Sequence, residues 1–189
     1  MISRFTLTTA AVVFGMLGGA AVAQDKVTFG TNWLAQAEHG GYYQAVADGT
    51  YAKYGLDVTI AQGGPQAANR AQLVAGAIQF YMGGTTSAIN AVKEGIPTLT
   101  LAAIFQKDPQ ILMSHPGKFA EFKDLAGASK YILSAEGFTS YFTWMKAQWP
   151  EFVDEKYEPY QFNPSSFLAD PDSIQQGYLT SEPLSIETE

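Results

Sequence analysis

The chain has 189 residues, with 11 basic and 18 acidic side chains and a net charge of −7. Hydrophobic residues make up 47% and charged ones 15%, a composition that buries a core and excludes intrinsic disorder. Cysteine is absent, which excludes disulfide scaffolds, thiolate metal sites, iron–sulfur ligation and thiol nucleophiles; an acidic chain without a Lys/Arg-rich run excludes nucleic acid as partner, because phosphate binding needs clustered positive charge.

Arg4 is the only charged side chain before Asp25, the stretch from Ala10 to Ala23 is apolar or small, and it ends in Ala21-Val22-Ala23. This is the pattern of a secretory signal peptide cleaved after Ala23, and it predicts a periplasmic protein. The apolar run is too short and too glycine-rich for a spanning anchor.

Beyond it the hydrophobic period alternates between two and 3.6. Residues 27–30 read as a strand, 38–54 as a helix with Tyr43, Val46 and Ala47 on one side and Gly55 as its stop, and 56–60 as a second strand. Gly63-Gly64-Pro65 opens a second helix carrying Ala67, Ala71, Val74, Ala75 and Ile78, stopped by Gly76. Residues 78–82 form a third strand, and Gly83-Gly84-Thr85-Thr86 leads into a helix with Ala88, Ile89 and Val92 inward. Gly95 and Pro97 end it, and residues 98–105 form a fourth, nearly all-apolar strand. Strands joined by helices through glycine-rich turns are right-handed βαβ units of a parallel sheet. Ligands of such sheets sit beyond the carboxyl ends of the strands. That rule selects Asn32, Trp33, Gly63, Gly64, Gly84, Thr85, Thr86 and Gln106 along one edge.

After Asp108-Pro109 the pattern restarts. Residues 111–113 read as a strand, 119–126 as a short helix and 131–133 as a strand. Ser134-Ala135-Glu136-Gly137 then leads into a helix whose Phe138, Tyr141, Phe142, Met145 and Trp149 form one stripe, read as core. Residues 151–172 read as irregular, and 177–179 as a last short strand.

These residues carry a resemblance. Gly30-Thr31-Asn32-Trp33, then Glu38-His39-Gly40-Gly41-Tyr42-Tyr43-Gln44-Ala45, Tyr54-Gly55-Leu56-Asp57-Val58, Gln72-Leu73-Val74-Ala75-Gly76 and Glu94-Gly95-Ile96-Pro97 stand in order. Phe122-Lys123-Asp124-Leu125-Ala126-Gly127 and Gly177-Tyr178-Leu179-Thr180-Ser181-Glu182-Pro183 follow. The ordered set resembles the extracytoplasmic solute-binding proteins of ABC importers, in the branch shared by nitrate, sulfonate and taurine binders and by binders of thiamine pyrimidine precursors.

The resemblance implies a two-lobed α/β fold of periplasmic-binding-protein type, with mostly parallel sheets flanked by helices. Lobe 1 spans residues 24–105 and lobe 2 residues 106–189, with a small-molecule ligand trapped between them and an ABC permease as membrane partner. Family members usually continue past this Glu-Pro pair, so the second lobe is expected to be incomplete in a C-terminally truncated chain. Unpaired strand edges and exposed apolar faces are then expected. One eukaryotic branch of the superfamily is enzymatic and uses a Cys-rich motif; a chain without cysteine departs from it. Hydrolase signatures are absent too, so no catalytic residues and no cofactor are expected, and a fragment without ligand function stays open.

Each candidate has two readings. Trp33 either stacks on a planar ligand or caps the core; Asn32 either meets a polar ligand or satisfies its own turn. His39, with only His115 as a second histidine, is structural or, by the resemblance, a pocket residue; neither imidazole has a metal-ligand pattern around it. Gly63, Gly64, Gly84, Thr85 and Thr86 permit close backbone approach to a ligand, or simply make tight turns. Trp33, Tyr42 and Phe138 suit a planar heteroaromatic ring, and Phe138 and Thr139 open a helix that can close on it. Glu182 matches a cleft-facing Glu of the family and can pair with a ligand amine, or is a solvated charge. With no Arg near those turns except Arg70, the balance favours a neutral or cationic aromatic solute over sulfonate or nitrate.

Overall fold

Strand β1 (Asp25–Gly30) lies at the centre of a three-stranded sheet between β2 (Leu56–Ala61) and β3 (Phe80–Tyr81), in the order β2-β1-β3 with every pair parallel. The computed structural model describes residues 23–188, so the signal-peptide reading lies outside the described residues except for Ala23. Parallel neighbours require crossovers, and helices supply them. A 3-10 turn at Ala37–His39, α1 (Gly40–Ala47) and α2 (Thr50–Lys53) join β1 to β2; α3 (Asn69–Val74) joins β2 to β3; α4 (Thr85–Lys93) follows β3. The single helix expected over 38–54 is broken at Gly49, which takes φ 72°, while the Asp48 carboxylate accepts from the Thr50 amide and hydroxyl to start the next turn.

Two expectations fail here. Residues 98–105 form no strand, and Leu99 is 82% exposed. An apolar run becomes a strand only when a neighbour pairs its backbone, and no described strand lies beyond the two-residue β3. In α4 the inward residues are Ser87 and Ala91, whereas Ile89 is 64% exposed and Val92 is exposed as well. The helix is rotated so that the face bearing Ser87 turns toward the rest of the protein.

The second sheet has the order β4-β7-β5-β6, built from β4 (Gln110–Ser114), β5 (Tyr131–Leu133), β6 (Tyr157–Pro159) and β7 (Ile174–Tyr178). Only β4 runs antiparallel to its neighbour β7; β5 is parallel to both β6 and β7. The expected helix over 119–126 is a 3-10 turn at Phe122–Gly127. Strand β6 lies inside the stretch read as irregular. Its Pro159 and charged Glu158 disguise it, and both suit the sheet edge it occupies. Helices α5 (Ala135–Thr139) and α6 (Tyr141–Gln148) replace the single expected helix, broken at Ser140, and α7 (Ser165–Leu168) and α8 (Glu182–Glu187) complete the half.

The main core lies on one face of β5. Tyr131 and Leu133 pack there with Phe142, Met145, Phe152 and Ile174, flanked by Phe138, Tyr141 and Trp149. The aromatic stripe is therefore core. Alternation sends Ile132 to the opposite face, where it meets Tyr160 and Phe167. The whole is mixed α/β, with parallel-dominated sheets flanked by helices, and among the described residues no helix is long and apolar enough to cross a membrane.

Phe142 has no exposed surface, so Phe142→Ala is expected to lower unfolding free energy by about 3–5 kcal/mol. Ile89→Ser, on the outward face of α4, should change it by less than about 0.5 kcal/mol. Urea unfolding of the two variants checks both.

Candidate functional site

The loops after β1, β2 and β3 gather beside the loop after β5 and the end of β7, and a cavity of about 300 Å³ lies between them. Its walls come from both halves of the chain: Asn32, Trp33, Gly64, Gly84, Thr86 and Ser87 on one side, Asp108, Glu136, Tyr141, Trp144, Tyr178 and Glu182 on the other.

The loop after β1 is fixed from behind. Thr31 is fully buried, its hydroxyl donating to the Trp33 carbonyl at 2.8 Å and accepting from the Gly63 amide at 2.9 Å. Asn69 Nδ2 donates to the carbonyls of Thr31 and Ala61, each at 3.0 Å. A Cβ at Gly63 would stand 2.2 Å from the Thr31 carbonyl oxygen, so only glycine allows this approach. Trp33, held in this way, reaches into the other half, stacking on Tyr160 at 5.8 Å and meeting Phe162 edge-on at 6.0 Å. It lines the cavity and caps the Ile132–Tyr160–Phe167 cluster at once.

Carboxylates dominate the opposite wall. Glu136 Oε2 accepts from the Tyr81 hydroxyl at 2.9 Å and its Oε1 from Ser87 Oγ at 2.8 Å, so one side chain of α5 holds both β3 and α4. Glu182 is 5% exposed; it accepts from the Tyr160 hydroxyl at 3.2 Å and from the Tyr178 amide at 2.7 Å. Burial, with the neighbouring carboxylates, pushes the Tyr81 and Tyr160 hydroxyls well above their ordinary pKa. Burial likewise raises Tyr178, to about 12, aided by Asp108, Glu136 and Glu38 and opposed by the bond from Asn32. The phenols therefore stay protonated donors at neutral pH. Gln176 is aimed inward too, accepting from the Ser134 amide at 2.6 Å and the Tyr141 hydroxyl at 3.0 Å. The lining holds no Lys, Arg or His.

Of the residues selected from sequence, Asn32, Trp33, Gly64, Gly84, Thr86 and Glu182 line the cavity. Gly63 backs the wall. His39 is fully buried one layer behind, its Nε2 3.2 Å from Asn32 Oδ1. The others are placed elsewhere. Tyr42 stacks on Phe29 at 4.5 Å, packing α1 against the sheet. Phe138 stacks on Tyr157 at 4.2 Å within the core, and Thr139 is exposed, its hydroxyl donating to the Ala135 carbonyl. Thr85 points to solvent at the start of α4, and Gln106 is exposed in the segment that forms no strand. At the helix start after β5, where Phe138 and Thr139 were selected, the lining residue is Glu136, and the same strand-end rule applied to β7 points to Tyr178; Asp108 and Ser87 carried no such signal. Among the described residues no three metal-ligating side chains gather into a possible metal site.

Gly63→Ala should displace the 31–33 loop and lower stability by about 1–3 kcal/mol, read by urea unfolding together with a change in Trp33 emission. His39 supplies a pH test. Burial holds its imidazole below the ordinary value of 6.5, partly opposed by Glu38. The unfolded chain thus binds a proton at a pH where the folded chain does not, and stability is lost as pH falls through 6.5 toward the lower folded value. The urea midpoint should decline from pH 7.5 to 5.5, and His39→Gln should flatten that decline.

Comparison with curated proteins returns no match. Residues 36–142, which contain α1 to α5 and the Asn32-adjacent His39, match the family described as NMT1/THI5-like. That match spans more than half of the chain, which belongs to this family of periplasmic binding proteins for nitrate, sulfonate, taurine and thiamine precursors, generally binders rather than enzymes.

Proposed function

We propose that the chain is the extracytoplasmic solute-binding component of an ABC importer, exported through a signal peptide cleaved after Ala23 and without catalytic activity. Residues 24–105 and 106–189 act as two lobes that close on a small organic solute, and the closed form presents a surface to the membrane permease.

The observation that carries this reading is the cavity between the halves, lined by the rings of Trp33, Tyr141, Trp144 and Tyr178 and by three carboxylates. Apolar and aromatic walls with a few placed polar groups are what a small-molecule site requires. The charge pattern bears on the ligand. Asp108, Glu136 and Glu182 offer acceptors and no cation balances them, so a sulfonate or nitrate would enter without a counter-charge. A planar solute bearing an amine, of the pyrimidine-precursor kind, meets carboxylates with donors and the tryptophan faces with its ring.

Native mass spectrometry of the protein taken gently from its own periplasm tests the reading. The expected spectrum shows a small nitrogen-containing adduct, lost on denaturation, on a chain that lacks residues 1–23. Trp33→Ala should lower retention of that adduct by about tenfold or more. A sulfonate adduct would overturn the ligand class, and uncleaved protein would overturn export.

A further inference from the structure

Tyr178 ends β7 with its ring in the cavity wall, and its hydroxyl oxygen lies 3.4 Å from Asn32 Nδ2. An asparagine amide can turn either end toward a neighbour, so this contact alone does not say which partner donates. The layer behind decides it. The backbone N–H of Gln36 donates to His39 Nδ1 at 3.3 Å, and a peptide N–H cannot act as acceptor. Nδ1 is therefore bare, and in the neutral, fully buried ring Nε2 carries the proton. Nε2–H donates to Asn32 Oδ1 at 3.2 Å. The amide oxygen is thus used, and Nδ2 is turned to donate to Tyr178. The phenol oxygen accepts, so its own proton is left over, and among the described residues no acceptor takes it.

We propose that Gln36, His39 and Asn32 form a polarity relay that fixes Tyr178 as a hydrogen-bond donor into the cavity, making Tyr178 the residue that selects solutes bearing an acceptor atom such as a ring nitrogen or carbonyl. The proposal rests on the binding reading above and adds to it. Carboxylates such as Glu136 take a donor at one end of the solute, and Tyr178 demands an acceptor at another. A simple aromatic amine satisfies only the first demand. His39 and Asn32 are positioning residues, acting through Tyr178.

The probes are 4-aminopyrimidine and aniline at pH 8, two flat amines that differ in the ring nitrogens, titrated into the full chain by calorimetry or NMR. The wild-type protein should bind 4-aminopyrimidine about tenfold more tightly, the worth of one buried hydrogen bond that would otherwise be left unmade. Tyr178→Phe should bind the two probes within about twofold of each other. Asn32→Asp should lose the same preference, because a carboxylate accepts from both His39 and Tyr178 and so takes the proton meant for the solute. A readout independent of any ligand accompanies these titrations. The ring nitrogen shifts of His39 should report a neutral imidazole protonated at Nε2, and should stay so in Tyr178→Phe. A His39 protonated at Nδ1, or a wild-type protein that binds both probes equally, overturns the relay while leaving the cavity reading in place. A protein that binds neither probe overturns both.

Discussion

Among the described residues the chain passes once between its two sheets, through the extended stretch that follows α4. A single covalent passage cannot fix two bodies relative to one another, so their arrangement rests on contacts across the gap. The Glu136 carboxylate is the most telling of these. Each of its oxygens takes one hydroxyl from the opposite half, Tyr81 from β3 and Ser87 from α4. The Ala135 amide beside it donates to the Pro65 carbonyl at 3.0 Å, and Gln36 Nε2 donates to Ser181 Oγ at 2.7 Å. All of these groups can bond to water when apart. Charge-assisted bonds are then worth only about 1.5–3 kcal/mol net each, an attachment strong enough to define a closed form and weak enough to be reversed. The proposed reading, in which the two halves part and meet again around a solute, calls for that balance.

The two halves contribute differently. The second carries the dense core, with Tyr131, Leu133, Phe142 and Ile174 devoid of exposed surface, and it supplies carboxylates and phenols from rigid positions at strand ends. The first is thinly packed and brings loops. Its precision comes from polar backing: the Thr31 hydroxyl, the Asn69 amide and the absent side chain of Gly63 together hold the 31–33 backbone. Trp33 then joins the two, since its indole is seated in the second half's smaller cluster while its backbone belongs to the first. Any motion between the halves must withdraw that ring from beside Tyr160.

Much of this arrangement was legible in the sequence, and the misses have physical causes. The strand-end rule picked out Asn32, Trp33, Gly64, Gly84 and Thr86, all of which line the cavity, without any contact being known. It failed at Gln106 because hydrophobicity reports a tendency to be buried, whereas a strand needs a partner, and residues 98–105 have none among the described strands. Ile89 and Val92 were misassigned for a related reason: the period of an amphipathic helix gives a face, and only packing says what that face meets. Tyr42 and Phe138 were chosen for their rings, but a ring's chemistry does not say on which side of a helix it lies; both are spent on the protein's own aromatic stacks. Glu136 was missed at the right helix start: after β5 the ring of Phe138 and the hydroxyl of Thr139 were chosen, and the carboxylate two residues before Phe138 is the one that lines the cavity.

His39 illustrates a different limit. Of the two alternatives foreseen for it, the structure places His39 as the structural one, fully buried and outside the cavity lining, but that reading said nothing of the polarity of its hydrogen bonds. The Gln36-x-x-His39 spacing is local and brings a peptide N–H onto Nδ1 within one turn. Its consequence is remote: Asn32 is seven residues away and Tyr178 lies on the last strand, in the other half. Composition and periodicity carry no information about the direction of a hydrogen bond. Direction enters only when a group that cannot reverse, such as a backbone amide, is brought by the fold to the end of a chain of groups that can.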